Sequence, residues 1–319
     1  MTKREYERLY AAARRTYPKL TRVAMRKMAQ VYKQASDEVA AAVREAIKTG
    51  KSQITIDSMA AIEAKLQAGA GALNSRLHEL IPDTVYRGID LTAEVNQQYL
   101  IDAVKIAGAE SLVPHIHSVF ASIQDKIIQS VVNRVYQGGY TYSDAIWKVG
   151  TRYQDDIKNV LSVGLAQGRD MVKIARDIQV YTKDGKIALA KRLGNLERPS
   201  TDFMKRIGNK VDWRALRLVR SELFQAVQDA NKEFGKNNPA CLDLYDWVME
   251  SGRQQWSCEC ANLSAGGPYT YNELPDYPHA NCSCSVRPVL RDGKEFIADL
   301  KTFIAGGRVD YIDEWLRVA

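Results

Sequence analysis

Apolar residues recur every three or four positions along most of residues 21–240. One such stripe lies within residues 21–49 and comprises Met28, Val31, Ala35, Val39, Ala42 and Ala46. Another follows Pro114 and comprises Ile116, Phe120, Ile123, Ile127, Val131 and Val135. This spacing is close to one α-helical turn and places the apolar side chains on one face. The pattern predicts long amphipathic helices that pack together as a bundle.

Residues that cap or break helices suggest where these elements end. Gly50 is suited to end the first helix, and Asp57 is suited to begin a second. We expect Pro82 to interrupt that second helix, because proline disfavours helical geometry in the residue before it. A further helix follows and ends before Gly108, and the helix after Pro114 ends at the glycine pair 138–139.

Shorter helices are predicted after this glycine pair. One contains Trp147, and a separate one runs from Arg152 to Gln167. Residues 182–211 are polar and predict short helices joined by loops. Asp212 caps a strong helix that runs to Phe234 and is stopped by Gly235 and the polar residues that follow, Lys-Asn-Asn-Pro.

The pattern changes at Cys241, where strand signals appear. Residues Leu244–Val248 predict one strand, and residues 285–290, Ser-Val-Arg-Pro-Val-Leu, predict a second. Two short helices, about 294–305 and 308–318, close the chain.

A cluster of potential metal ligands lies between the two predicted strands. Four of the five cysteines fall within residues 258–284, whereas a secreted disulfide framework would spread them along the chain. Zinc takes four soft or borderline donors in a tetrahedron, and a metal would order a loop rich in glycine and proline. The five candidates for the four positions are Cys258, Cys260, His279, Cys282 and Cys284.

Because five candidates exceed four positions, one thiol is a bystander or hydrogen-bonds to the site. Thiols that stay reduced, or a disulfide in an extracellular particle, would account for the same cysteines. A catalytic zinc is not expected, because no general base is evident beside the cluster and thiolate-rich sites are usually structural. The remaining cysteine, Cys241, lies in an apolar run and fits a packed core position.

Together these patterns predict a mainly α fold: an elongated helical body with a small C-terminal zinc-binding β-hairpin (α+β) subdomain. The element order suggests five consecutive regions: a basic helical segment (1–50), long helices (51–139), a helical core (140–240), the metal-binding hairpin (241–292) and C-terminal helices (293–319).

Charge is concentrated at the N-terminal end. The chain carries a net charge of +7, and residues 1–33 alone carry +8, with Glu5 and Glu7 as their only acids. Such a segment favours a polyanion, either nucleic acid or an acidic protein surface, although a solvated helical face would look the same. The basic residues are Lys3, Arg4, Arg8, Arg14, Arg15, Lys19, Arg22, Arg26, Lys27 and Lys33.

Motifs of several enzyme classes are missing. There is no Walker phosphate loop, no dinucleotide-binding glycine motif, no Gly-x-Ser-x-Gly and no His-Glu-x-x-His, so we expect a binding or structural protein rather than an enzyme. His115 and His117 do not share a helix face, and the pair Asp155-Asp156 fits a solvated face. No apolar run of about 18 residues predicts a membrane span and no secretory signal is seen, so we expect the protein to stay in the compartment where it is made.

Several motifs of the C-terminal half occur in the order typical of one known family. They are the helix entry Gly164-Leu-Ala-Gln-Gly-Arg-Asp-Met-Val-Lys-Ile-Ala-Arg-Asp-Ile178, the triplet Arg220-Ser-Glu222, Trp247, the segment Tyr277-Pro-His-Ala-Asn-Cys-Ser-Cys284 and Val286-Arg-Pro288. Over about residues 130–290 the chain resembles the phage head-morphogenesis or minor head proteins (Mu F-like).

The resemblance implies a structural minor capsid protein of a tailed phage that takes part in head assembly and in genome packaging or delivery. Its implied partners are the portal protein, the major capsid protein or both, with phage DNA as a further partner, and several copies would be present per virion. The implied location is the head interior or portal region of the virion, and the host cytoplasm during assembly. The resemblance also singles out Arg220 and Glu222 as a structural node that orients the long helix against the hairpin, although exposed helix charge would look the same.

The sequence departs from the family pattern at several positions. Cys258-Glu-Cys260 stands where the family has Cys-x-x-Cys, so the first ligand is left open, and Ala280 and Ser283 replace a proline and an arginine of the last motif. The first 110 residues show no match to the family. Two other classes of function stay as alternatives: a zinc-dependent nucleic-acid-processing enzyme such as a nuclease, and a free DNA-binding protein.

Overall fold

The computed structural model describes residues 1–48, 56–136, 138–194, 213–249, 259–279 and 282–317. Within these ranges the helices are α1 (Lys3–Lys48), α2 (Ile56–Ala107), α3 (Val113–Val132), α4 (Tyr142–Ala166), α5 (Met171–Asp184), α6 (Lys186–Gly194), α7 (Trp213–Lys236), α8 (Cys260–Gly266), α9 (Gly293–Ile304) and α10 (Asp310–Arg317). The strands are β1 (Cys241–Val248) and β2 (Ser285–Leu290). The chain is thus mainly helical with a small sheet, as predicted. The roles predicted for Gly50, Asp212 and Cys258 fall outside the described residues.

Helix α1 begins at Lys3, well before the apolar stripe that predicted it. Its first turns bury Tyr6, Tyr10, Ala13 and Tyr17. Buried tyrosine hydroxyls need hydrogen-bond partners. The Tyr6 hydroxyl donates to Asn96 Oδ1 at 3.0 Å, and the Tyr17 hydroxyl lies 2.9 Å from that of Thr92. The N-terminal segment is therefore a packed helix with a polar core face.

Helix α2 corrects the prediction that Pro82 ends a helix, because the helix passes through this residue to Ala107. Interior proline costs about 3 kcal/mol through a lost hydrogen bond and a steric clash. The side chains that offset this cost lie on both sides of it, and they are the fully buried Leu77, Ile81, Val85 and Ile89. Burial of such aliphatic side chains contributes about 1.5–3 kcal/mol each, which outweighs the cost.

Helix α4 is one helix, where the sequence predicted two. Thr141 begins it with a capping box, in which its hydroxyl accepts from the Asp144 N–H and Asp144 accepts in return. Asp156 in the same helix is buried, not solvated as predicted: Arg152 Nε lies 3.2 Å from its carboxylate, and the Tyr181 hydroxyl donates to it at 2.8 Å. Burial is tolerated because both oxygens face polar partners.

Helix α7 ends at Lys236, two residues beyond the predicted Phe234, so that Gly235 lies in its last turn. A Cβ at this position would lie 2.7 Å from Tyr245 Cε1 and 2.8 Å from Pro288 Cγ. Gly235 therefore serves close packing of the helix on the sheet. Helix α3 also differs from its prediction, since it ends at Val132 and leaves Val135 exposed in a bridge with Thr141.

The two strands pair antiparallel, with Trp247 opposite Val286 and Val248 opposite Ser285. They are joined by residues 249–284, which carry α8 and the cysteines, so the pair is not a tight hairpin.

The chain forms two compact units, each built from separated segments. The first unit comprises residues 1–21, 82–134 and 220–319, and the second comprises 22–81 and 135–219. These units cut across the five consecutive regions suggested by the sequence. Among the described residues, no helix combines the length and apolar character needed to cross a membrane.

Candidate metal centre

The sheet and its connection enclose a small core in the first unit. Its fully or nearly buried members are Tyr245, Trp247, Cys260, Leu274, Cys282, Cys284 and Val286. Alternation along β1 directs Tyr245 and Trp247 to the same face, and Val286 faces Trp247 across the sheet. Three of the five candidate ligands thus belong to this core.

These three thiols converge from two places in the chain. Cys260 is the first residue of α8, and Cys282 and Cys284 directly precede β2. The three sulfur atoms all lie within 4.8 Å of one another, and the Cys260 and Cys282 sulfurs are 3.6 Å apart. A buried Cys260/Cys282/Cys284 cluster is therefore present that could hold a metal ion.

His279 lies at the exposed edge of this cluster. Its Nε2 is 3.8 Å from Cys260 Sγ, although it is not among the three ligand atoms that are mutually within 4.8 Å. The backbone N–H of Cys282 donates to the His279 carbonyl at 3.2 Å, which fixes this short turn. Cys258, the fifth candidate, lies outside the described residues.

The observed spacings suit tetrahedral zinc. With zinc–sulfur bonds of about 2.3 Å and zinc–nitrogen bonds of about 2.0 Å, a tetrahedron separates two sulfurs by about 3.8 Å and a sulfur from a nitrogen by about 3.6 Å. The Cys260–Cys282 and Cys260–His279 distances of 3.6 and 3.8 Å are each close to these values. Three thiolates and an imidazole are also the donor set that soft or borderline metals prefer.

The thiols perturb one another electrostatically. The hydrogen bond with Cys284, followed by burial, raises the pKa of the Cys282 thiol well above its usual range. Neighbouring thiolates would repel, so without a cation this thiol stays protonated at neutral pH. A bound divalent ion reverses that preference, because a coordinated thiol is deprotonated outright.

The surroundings close the cluster on its inner side. The Tyr277 hydroxyl donates to the Cys282 carbonyl at 2.7 Å, and burial raises the pKa of Tyr277, which keeps it a donor. Ser264 in α8 donates to the Trp247 carbonyl at 3.0 Å and so ties α8 to β1. A thiol-rich site that is largely buried in this way is typical of structural metals.

Cys241 is a buried core residue, as predicted. It pairs with Leu290 at the far end of the sheet and is not one of the three clustered thiols. Burial raises its pKa to about 12, so it remains a neutral thiol.

The predicted polyanion-binding residues all lie on α1, but they differ in exposure. Arg14 and Lys27 are half-buried, and Arg14 Nη2 donates to the Val248 carbonyl at 3.2 Å. Arg14 therefore serves the fold by binding the end of β1. The exposed members are Lys3, Arg4, Arg8, Arg15, Lys19, Arg22, Arg26 and Lys33, of which Lys33 is ion-paired with Asp37.

Glu222 of the predicted structural node is buried. Arg134 Nε lies 3.6 Å from its carboxylate, and Arg134 Nη2 lies 3.4 Å from Asp229 Oδ2. The Arg220 guanidinium lies 5.6 Å from the centre of the Phe224 ring. Arg134 and Asp229 could not be predicted from the sequence, because a single arginine after a helix gives no sign of a distant partner. The burial of Glu222, which requires a cationic partner, becomes evident only in the structure.

Comparisons with protein families, with curated proteins and with solved structures find no match for this chain.

Proposed function

We propose that this protein is a structural minor head protein of a tailed phage, in which the cysteine cluster holds one zinc ion. The buried convergence of Cys260, Cys282 and Cys284 beside His279 is the observation that carries the proposal. It occurs at the end of a helical chain whose motifs resemble head-morphogenesis proteins in order. The protein would associate with the portal or the inner capsid during head assembly.

The zinc has a structural role in this proposal. Cys260, His279, Cys282 and Cys284 would bind it, which leaves no open position for a substrate. The ion would connect the start of α8 to the start of β2 and so fix a connection whose described residues after α8 form no further helix or strand before β2. The role of the metal is thus to hold the fold together rather than to supply chemistry.

The competing hypotheses are a zinc-dependent nuclease and a free DNA-binding regulator. A nuclease predicts metal-dependent cleavage of DNA that is lost when a non-ligand acid is replaced. A regulator predicts preference for one DNA sequence, whereas a packaging-associated protein binds DNA without sequence preference.

Mass spectrometry of purified phage particles and of assembly intermediates tests the proposed function. We expect peptides of this chain in both. Their absence from both would overturn the proposal.

Native mass spectrometry of the full chain tests the zinc. The wild type should carry one zinc ion, and the Cys282→Ser variant should lose it, while Cys241→Ala, which removes a buried thiol outside the cluster, should keep it. An identical metal content in wild type and Cys282→Ser would contradict the site.

A further inference from the structure

Helix α1 carries its buried and its basic side chains on opposite faces. In the part of α1 that belongs to the first unit, the buried face comprises Tyr6, Tyr10, Ala13 and Tyr17. The basic face of the same part comprises the exposed residues Arg4, Arg8, Arg15 and Lys19, whereas Lys3, at the first turn, lies about 50° from the centre of the buried set and is not part of this face. Successive residues are about 100° apart around a helix, so the centres of the two sets lie about 180° apart. The basic face is therefore turned away from the packed core.

The acids of this segment do not neutralise the basic face. Glu5 accepts hydrogen bonds from the Thr2 N–H at 2.7 Å and the Thr2 hydroxyl at 3.0 Å, and these bonds, with a smaller contribution from Arg8, lower its pKa. Glu7 lies 3.5 Å from Arg287 Nη1. Among the described residues, none of the four basic side chains forms an ion pair within 4 Å.

The composition of the basic face points to a regular polyanion. Cores of protein interfaces are apolar or aromatic and poor in charge, and binding energy concentrates in aromatic and arginine anchors seated in pockets. The basic face instead presents four cations along about 22 Å of helix axis at 1.5 Å per residue. Ala11 and Ala12, which flank the centre of this face between Arg8 and Arg15, add little bulk. Such a row matches a chain of phosphates better than a folded acidic protein.

We propose that the basic face of α1 binds the phosphate backbone of double-stranded DNA without reading its sequence. This inference deepens the proposed function and rests on it for the presence of a packaged genome. Arginine is suited to the contact because its planar guanidinium donates two parallel hydrogen bonds to a phosphate. Arg14 is not part of the surface, because its guanidinium donates to the Val248 carbonyl.

The test measures binding of the zinc-loaded full chain to a mixed-sequence DNA duplex as a function of salt. The test variant is Arg4→Gln/Arg8→Gln/Arg15→Gln/Lys19→Gln. Four phosphate contacts contribute a slope of about −3.6 to log K against log salt. Raising salt from 50 to 200 mM should therefore weaken the wild type by about 150-fold more than this variant.

A matched variant controls for net charge. Lys105→Gln/Lys126→Gln/Lys294→Gln/Lys301→Gln removes four exposed cations from other helices of the first unit. It should keep the wild-type slope. Equal losses in both quadruple variants would overturn the proposal, because binding would then follow overall charge. Circular dichroism should show unchanged helix content, and if the test variant loses helix, Arg4→Gln/Arg8→Gln and Arg15→Gln/Lys19→Gln should each show about half the slope change.

Three further outcomes separate this inference from its rivals. No DNA binding by the wild type at 50 mM salt would overturn it, as would stronger binding to polyglutamate than to DNA, which would indicate an acidic protein partner. Binding restricted to one DNA sequence would also overturn it. If the chain is found in phage particles while the quadruple variant binds DNA normally, the proposed function survives and this inference does not.

Discussion

The helical second unit and the sheet region around β1, α8 and β2 in the first unit bury their interiors in different ways. The second unit uses apolar stripes along α4 and neighbouring helices, and its buried Asp177 is ion-paired with Arg169 and Arg192. The sheet region has two strands, one short helix and a core in which three thiols take the place of aliphatic side chains. A two-stranded sheet is marginally stable by itself. The difference indicates that packing suffices for the helices, whereas the sheet region would gain from a metal ion bound to its thiols.

Loss of the metal is expected to have the largest effect on the stability of the sheet region. Chelation, or Cys282→Ser, should abolish the protection of backbone amides in β1, α8 and β2, because structural zinc contributes on the order of 10 kcal/mol to the folding of such regions. Hydrogen–deuterium exchange should show unchanged protection in α4 and α5. Cys241→Ala, which leaves the cluster intact, is the control. Equal protection of β2 with and without metal would contradict the comparison.

A cavity in the second unit should destabilise the protein to the same extent with and without the metal. Ile157→Ala removes a fully buried side chain from α4 and should lower the free energy of unfolding by about 2–5 kcal/mol. The loss should be the same with and without chelator, as measured by urea denaturation. A loss that appears only in the zinc-free protein would tie this unit to the metal, against the comparison.

Two glycines in helices should respond with opposite signs. Gly235→Ala forces a Cβ against Tyr245 and Pro288 and should destabilise the first unit by about 1–3 kcal/mol. Gly71→Ala in α2 meets nothing within 4 Å and should stabilise by about 0.5–1 kcal/mol. Thermal unfolding of both variants measures the difference. If Gly71→Ala also destabilised the protein, the stabilisation expected from helix propensity at this position would be contradicted.

The smallest effect concerns the start of α4. Hydrogen bonds from the Thr141 N–H, and to a smaller extent from the Thr141 hydroxyl, lower the pKa of Asp144. The contribution of Asp144 to folding stability is therefore fully present above the pKa of this carboxyl in the unfolded chain, and it is lost as the pH falls through its pKa in the folded chain. Thr141→Ala should cost about 1 kcal/mol at neutral pH. The difference from wild type should shrink below about pH 4, near the unfolded pKa of aspartate. Urea denaturation at several pH values would reveal a constant difference if the capping box did not contribute.

Much of the fold could be predicted from periodicity, and the exceptions share a cause. The stripes at 3.6-residue spacing and the two strand segments correspond to observed elements. Pro82 was expected to interrupt a helix, because local propensity opposes helix there. The buried residues around Pro82, brought together only by folding, decide otherwise. Likewise, only folding brings Tyr245 and Pro288 against Gly235, in the last turn of α7, where they leave no room for a Cβ.

The cysteine cluster was predictable in its members but not in its surroundings. The short sequence spacings between cysteines predicted that Cys260, Cys282 and Cys284 lie together. No local pattern connects Glu222 with Arg134, or Asp156 with Tyr181, because the partners come from segments far apart in the sequence. The tyrosines at positions 6, 10 and 17 did carry a helical period, although the basic residues between them obscured it.

One turn of α1 has a consequence for how the metal would be loaded. The Tyr10 hydroxyl donates to the Val286 carbonyl at 2.6 Å and lies 2.8 Å from the Ser285 hydroxyl, and Arg14 donates to the Val248 carbonyl at 3.2 Å. Val248 and Ser285 face each other at the end of the sheet next to Cys284. This turn therefore anchors both strand ends to α1, next to Cys284, by contacts that need no metal. When metal loss releases β1, α8 and β2, these contacts keep the ends of the cysteine-bearing connection close together, which lowers the entropic cost of closing it again. Metal uptake by the metal-free chain should accordingly require refolding of this region alone and not of the whole chain.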